Sequence, residues 1–150
     1  LYFSLGAHPA FALPLDFERY SLILDNADDL ACSLLDNDLI STQTRTIPTT
    51  NGKLDLDYSL FAHDALIFKN VPFKTVTILE QRRPLLEVRF DAFPDLGLWT
   101  KPGAPFLCIE PWYGYSDATD SNGQLSAKPG ILTLAADQTF STQFSIHLLP

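Results

Sequence analysis

The sequence predicts an all-β fold, either a sandwich or a barrel, and three observations support this prediction. Apolar residues occur in short runs separated by Pro, Gly, Asn and Asp, a pattern typical of strands and turns rather than helices. Residues 140–148 alternate apolar and polar side chains, as expected for a strand with one buried face. The dipeptides Asn51-Gly52 and Asn122-Gly123 are typical of tight turns.

Nine segments are predicted to be strands, because each is a short apolar or alternating run bounded by turn-forming residues. In chain order they are residues 1–5, 20–24, 31–35, 75–79, 85–90, 96–100, 106–110, 131–134 and 140–148. Residues 58–68 could hold a single helical turn, and no longer helix is predicted. Residues 117–124 are polar and are predicted to form a loop. With 150 residues and no linker or repeat, the chain is expected to be one domain over 1–150.

Charge and composition exclude several classes of partner. The net charge of −8 disfavours binding to nucleic acid and to anionic membranes. No apolar stretch of about eighteen residues occurs, so a membrane-spanning helix is not expected. Cys32 and Cys108 both lie in apolar stretches and are expected to be buried, reduced thiols, which favours a cytoplasmic location. The oligomeric state is left open.

The chain has no methionine and opens on the apolar run Leu1-Tyr2-Phe3. We therefore expect it to be a piece of a longer protein that lacks an N-terminal part. Some residues of a functional site would then precede Leu1.

Glu110 is the first candidate for chemistry, because it ends the apolar run Phe106-Leu107-Cys108-Ile109 and aromatic residues follow it. A carboxyl group in such a setting is costly unless it is hydrogen-bonded or lies in a cleft, and burial makes it a better base near neutral pH. Pro111 is expected to end or fray the strand at this point. The alternative is an edge-strand glutamate that faces water.

His8 is the second candidate. It follows Gly6 and Ala7 at the end of an apolar strand and precedes Pro9, much as Glu110 precedes a proline. Histidine can donate a proton near neutral pH. The alternative for a single histidine is a structural, hydrogen-bonded side chain.

Three further residues are candidates for binding a sugar. Asp64 interrupts an apolar stretch and could accept hydrogen bonds from hydroxyl groups, or could equally cap a turn. Trp99 and Trp112 could stack on the apolar face of a sugar ring, or could be core residues. Metal-ligand spacing, Gly-rich phosphate loops and serine-nucleophile motifs are absent from the sequence, so neither a metal nor an organic cofactor is expected.

Taken together, these segments resemble the aldose 1-epimerase (galactose mutarotase) superfamily, and its LacX-like branch in particular. The strings that carry the resemblance extend over nearly the whole chain. They are SLGAHPAF at 4–11, HDALIF at 63–68, LWTKP at 98–102, APFLCIEPWYG at 104–114, KPGI at 128–131 and the final strand.

The resemblance implies a large β-sandwich, of the type called a supersandwich, of which this chain is roughly the C-terminal half. It also implies that Glu110 is a catalytic base, that His8 is a catalytic acid and that Asp64 binds sugar hydroxyls. Ala7 departs from the family pattern, where a glycine is expected. An arginine and a second histidine of the family's site would precede Leu1.

The expected function is the interconversion of the α and β anomers of a free hexose. Two alternatives are a hexose-6-phosphate 1-epimerase, for which Arg82-Arg83 is the one local basic pair, and a carbohydrate-binding module without activity. A hydrolase accessory domain is disfavoured, because the sequence marks no second catalytic carboxylate beside Glu110.

Overall fold

The computed structural model describes residues 1–25 and 27–150, and within them the chain is all-β. Three short 3₁₀ helices lie at Phe17–Arg19, Tyr58–Phe61 and Leu125–Ala127. The strands in chain order are β1 (Tyr2–Phe3), β2 (Leu5–Gly6), β3 (Ala10–Ala12), β4 (Tyr20–Leu24), β5 (Leu30–Asp36), β6 (Leu39–Ile47), β7 (Lys53–Asp55), β8 (Leu66–Phe68), β9 (Thr75–Glu80), β10 (Arg83–Arg89), β11 (Asp95–Trp99), β12 (Phe106–Tyr113), β13 (Leu132–Thr133) and β14 (Ser145–Leu148).

The strands form three antiparallel sheets. The seven-stranded sheet has the order β2-β12-β11-β8-β5-β6, and β3 also pairs with β12. The five-stranded sheet has the order β14-β10-β9-β4-β7, and β1 pairs with β13 alone. Strand β12 is therefore an interior strand of the larger sheet, with β11 on one side and the two short edge strands β2 and β3 on the other.

The hydrophobic core lies between the two larger sheets. Leu22 and Ile78 from the five-stranded sheet belong to the same buried cluster as Leu66, Leu98 and Ile109 from the seven-stranded sheet. Apolar side chains on the inner faces of two sheets are what a sandwich buries, and this burial is the main source of its stability. The all-β sandwich predicted from the sequence is confirmed.

Several predicted strands match the structure closely, and two differ from it. Residues 20–24 coincide with β4, and the Asn51-Gly52 turn is confirmed, since both residues have positive φ between paired Thr50 and Lys53. The prediction for 140–148 was too long, because only Ser145–Leu148 pairs with a neighbouring strand. The prediction for 1–5 was one strand where the structure has two, β1 and β2, which join different sheets.

The expectation that Pro111 ends its strand was wrong. Strand β12 continues to Tyr113, and Pro111 pairs with Leu96 on β11. The Pro111 carbonyl accepts a hydrogen bond of 3.0 Å from the Ala7 N–H, which lies between β2 and β3. In an antiparallel ladder a residue's N–H and C=O point to the same side, so the missing N–H of Pro111 falls in this gap. The strand therefore loses no ladder hydrogen bond there.

Across residues 1–25 and 27–150, no helix has the length and apolar character needed to cross a membrane.

Candidate functional site

Side chains along β12 point alternately to the two faces of the sheet, so core residues and site residues lie on opposite faces. Leu107 and Ile109 point into the hydrophobic core between the sheets. Because successive side chains of a strand point to opposite faces, Cys108, Glu110 and Trp112 share the other face of the seven-stranded sheet. One apolar strand thus supplies both core packing and a row of chemically active side chains.

Cross-strand pairing places small residues around this row. Glu110 is paired with Gly97 on β11, and Trp112 is paired with Gly6 on β2. Paired residues project to the same face of a sheet, so neither glycine places a side chain on the face that carries Glu110. The Trp112 indole occupies the room that the two glycines leave.

His8 faces Glu110 directly. It lies in the short segment between β2 and β3, and its Nε2 is 3.3 Å from Oε1 of Glu110. The His8 side chain is 64% exposed and that of Glu110 is 5% exposed, so His8 is accessible to solvent whereas Glu110 is buried. The structure thus brings together two residues that are 102 positions apart in the sequence.

The surroundings of Glu110 raise its pKa above the usual value for a glutamate. Burial is the largest cause, because it disfavours the charged carboxylate. The nearby Asp64 carboxylate raises the pKa further, whereas His8 and the Trp112 side chain lower it. The net result is a carboxyl group whose pKa is closer to neutrality, which suits a general base.

Trp99 lies beside His8. Its indole meets the imidazole edge-on, with 6.3 Å between the ring centroids and an angle of 81° between the planes. Phe106 packs against the indole at 5.7 Å, which fixes its orientation. Trp99 is half-buried, so one aromatic surface remains open next to the His8–Glu110 pair.

Asp64 is exposed and lies two residues before the start of β8. Its φ of 74° is in the left-handed region, and its Oδ1 accepts a hydrogen bond of 2.8 Å from the Ala65 N–H. The carboxylate thus stabilises its own turn while remaining near enough to Glu110 to raise the pKa of that group. The turn role of Asp64 is therefore observed, and its binding of sugar hydroxyls stays a prediction.

Trp112 is half-buried and lies across the sheet between Gly6 and Gly97. Beside it is a groove of about 340 Å³, lined in part by Gly6, Ile67 and Tyr115. The indole is therefore positioned between the carboxyl group of Glu110 and an open groove. The part played by Gly6 and Gly97 was not predicted from the sequence, although glycine inside an apolar strand is a known indication of close approach.

Cys108 adds a third side chain that could bind a metal ion, beside His8 and Glu110. Ligand atoms of His8, Cys108 and Glu110 all lie within 4.8 Å of one another, so they could in principle hold a metal ion. Spacing in the sequence could not show this cluster. Burial and the Glu110 charge raise the pKa of the Cys108 thiol to about 11, whereas metal ligation uses the thiolate.

Curated relatives of the chain are found by sequence. The chromosomal LacX protein of Lactococcus lactis subsp. lactis is 36% identical over 154 aligned residues, and the plasmid-encoded LacX protein is also 36% identical. Each alignment covers 97% of this chain and 52% of the relative, so the chain spans about half the length of the curated relatives it matches. No protein-family model matches the chain.

Solved structures give the same relationship. A galactose mutarotase related enzyme from Lactobacillus acidophilus superposes with a TM-score of 0.88 at 25% identity, over all of this chain and 53% of that one. A galactose mutarotase-like protein from Lactobacillus casei superposes with a TM-score of 0.79 at 23% identity, over 98% of this chain and 52% of that one, and shows the shared fold. Together with the similarity to LacX, these comparisons show that the chain is similar to galactose mutarotase-like proteins.

Proposed function

We propose that the protein is an aldose 1-epimerase that interconverts the α and β anomers of a free hexose. The observation that carries the proposal is the 3.3 Å approach of His8 Nε2 to Glu110 Oε1. A carboxyl group and an imidazole at this distance can take up one proton and supply another on the same small molecule. The relationship to galactose mutarotase-like proteins supports the same chemistry.

In the proposed reaction the sugar enters between the two side chains and replaces their direct contact. The Glu110 carboxylate takes the proton of the C1 hydroxyl while the protonated His8 imidazole gives a proton to the ring oxygen. The bond between C1 and the ring oxygen breaks, leaving an open-chain aldehyde. Rotation about C1–C2 presents the other face of the aldehyde. The C5 hydroxyl then attacks C1, His8 takes back the hydroxyl proton, and the Glu110 carboxyl protonates the former carbonyl oxygen.

The protein's contribution lies in holding the two groups and in excluding water from one of them. Burial raises the pKa of Glu110, which makes its carboxylate a stronger base. His8 is exposed and can exchange its proton with solvent between turnovers. The reaction ends with both groups in their starting protonation states, so this residue pair completes the cycle by itself.

Sugar binding is proposed for Asp64, Trp99 and Trp112. The Asp64 carboxylate is exposed near Glu110 and can accept hydrogen bonds from sugar hydroxyls. Trp99 beside His8 and Trp112 beside Glu110 offer aromatic surfaces for the apolar face of a pyranose ring. The proposed partner is therefore a small sugar, and the proposed location is the cytoplasm.

The two alternative functions fit the geometry less well. A hexose-6-phosphate epimerase needs basic groups for the phosphate, and Arg82 and Arg83 lie at the β9–β10 turn of the five-stranded sheet, whereas Glu110 lies on the other sheet. A binding module without activity has no use for a raised carboxyl pKa opposite a histidine.

Polarimetry tests the proposal. The protein expressed from its complete gene is added to freshly dissolved α-glucose or α-galactose, and the approach to equilibrium rotation is timed. Acceleration that falls about 10²- to 10⁴-fold in Glu110→Gln supports the proposal. Glu80→Gln is the matched control, because Glu80 lies on the five-stranded sheet and pairs with Arg19. Unchanged kinetics with both sugars, followed by acceleration with hexose 6-phosphates, would transfer the proposal to the phosphorylated substrates.

A further inference from the structure

Two strand glycines make room for the Trp112 indole. A Cβ built on Gly6 would lie 2.6 Å from Cδ1 of Trp112, and one built on Gly97 would lie 2.6 Å from both Cη2 and Cζ2. These separations are too short for real atoms, so an alanine at either position would displace the ring. The five-membered ring thus lies over β2 and the six-membered ring over β11, with the indole flat across the sheet.

The backbone does not explain why these two positions are glycine. The glycines with left-handed φ are Gly52, Gly103, Gly114, Gly123 and Gly130, and neither Gly6 nor Gly97 is among them. A strand residue in ordinary extended conformation accommodates any L side chain, and glycine in a strand interior weakens it. The space occupied by the indole is therefore the structural reason for glycine at both positions.

The indole held in this way lies against Glu110. The two side chains are two residues apart on one face of β12, and the partner of Glu110 across the β11–β12 ladder is Gly97, over which the ring lies. The Trp112 side chain lowers the pKa of the Glu110 carboxyl, and the indole N–H is the one hydrogen-bond donor that a tryptophan side chain has. With the ring on one side, the carboxyl group is left facing His8.

We propose that Trp112, held flat across the sheet by Gly6 and Gly97, is a positioning residue that directs the Glu110 carboxylate toward His8. This role is separate from any stacking of a sugar on the same ring. Its catalytic consequence rests on the proposed function, whereas the placement of the carboxyl group can be measured without any substrate.

The first experiment follows the indole N–H signals by ¹H–¹⁵N NMR between pH 4 and pH 8. The signal of Trp112 is assigned by its loss in Trp112→Phe. We expect the chemical shift of the Trp112 indole N–H to change with pH as Glu110 titrates. In Glu110→Gln the same chemical shift should not change with pH. In Gly97→Ala the shift should fall by at least half, because the added Cβ moves the ring. Gly123→Ala is the control, since its Cβ meets nothing within 4 Å and strains only a turn with a φ of 73°.

A second variant keeps the proposal testable if Gly97→Ala does not fold. Trp112→Phe removes the N–H donor and adds no atom, so the Glu110 carboxyl, followed by ¹³C NMR, should titrate at a higher pH than in the wild type. A Trp112 signal that ignores the titration of Glu110, or a carboxyl titration unchanged in Trp112→Phe, would overturn the proposal.

Kinetics separate this proposal from the proposed function. In Trp112→Phe, kcat for mutarotation should fall about 10- to 100-fold, and the acid limb of the pH–rate profile should move to higher pH. A rise in KM with unchanged kcat would indicate that Trp112 only stacks on the sugar, and would contradict a positioning role. If the wild type shows no mutarotation, the proposed function fails, and the NMR titrations still decide whether Trp112 positions Glu110.

Discussion

Gly97 on β11 lies directly across the ladder from Glu110 on β12. A glycine opposite a nearly buried carboxyl group leaves a space that the Trp112 indole enters from one side, while His8 approaches from the other. The pairing of Gly97 with Glu110 therefore affects both the packing around the carboxyl group and its pKa. The predictions below follow from this arrangement.

Glu110→Gln is expected to raise the free energy of unfolding at neutral pH. Because the folded-state pKa of Glu110 is raised, the folded protein binds more protons than the unfolded chain between the unfolded and folded pKa values. The wild-type protein therefore loses stability as pH rises through this window, and glutamine does not. The gain of the variant should be largest at pH 7 and should shrink as the pH falls below the window.

Urea unfolding of both proteins at pH 7 and at pH 4 measures this difference, with Glu80→Gln as the control on the other sheet. A variant that is less stable than the wild type by the same amount at both pH values would contradict the prediction.

Asp64→Asn is expected to move the acid limb of the mutarotation rate to lower pH. The Asp64 charge raises the pKa of Glu110, so its removal lets the carboxylate form at lower pH. KM should also rise, because a proposed partner of the sugar hydroxyls is weakened. The rate measured against pH checks both effects, with Asp55→Asn at an exposed position of β7 as the control. An acid limb that stays in place would show that the two carboxylates do not interact.

Cys108 is expected to react slowly with iodoacetamide in the folded protein. Burial and the Glu110 charge raise the pKa of its thiol from 9.0 to about 11, which reduces the reactive thiolate at pH 8 by about 100-fold. Glu110→Gln should speed the labelling of Cys108 and leave that of the core residue Cys32 unchanged, as peptide mass spectrometry can show. Both cysteines are free, so denaturation in non-reducing buffer should expose two reactive thiols. Equal labelling of Cys108 in wild type and variant would argue against a nearby Glu110 charge.

Leu98→Ala is expected to destabilise the fold by about 2–5 kcal/mol, since Leu98 is fully buried between the sheets and its truncation leaves a cavity. Leu125→Ala, at a position that is 52% exposed, should change stability by less than about 0.5 kcal/mol. Urea unfolding of the two variants distinguishes these outcomes. Equal, small losses would mean that the sheets do not pack through Leu98.

The sequence predicted the all-β class well, because strongly apolar strands such as β4 and β11 have two neighbours and little exposed surface. It missed β6, whose residues are mostly exposed and polar because this strand lies at the edge of the seven-stranded sheet. It also ended β12 too early at Pro111, since the gap between β2 and β3 that tolerates a proline is a tertiary feature.

The candidate site was predictable in its residue types and not in its geometry. Glu110 and His8 stood out because each polar side chain follows an apolar run and precedes a proline. Their 3.3 Å contact depends on β3 and the preceding segment pairing with β12, a long-range contact that no local pattern encodes. The space left by Gly97 for Trp112 was likewise hidden, because it depends on which residues lie opposite each other in the sheet.

The account depends most on His8 and Glu110 acting as one acid–base unit. The direct test is a double-mutant cycle on the mutarotation rate, using His8→Asn, Glu110→Gln and the double variant, with His147→Asn on exposed β14 as the histidine control. Groups that act together give non-additive losses, so the double variant should be no slower than the slower single variant. Losses that multiply in the double variant, or full activity in either single variant, would contradict the account.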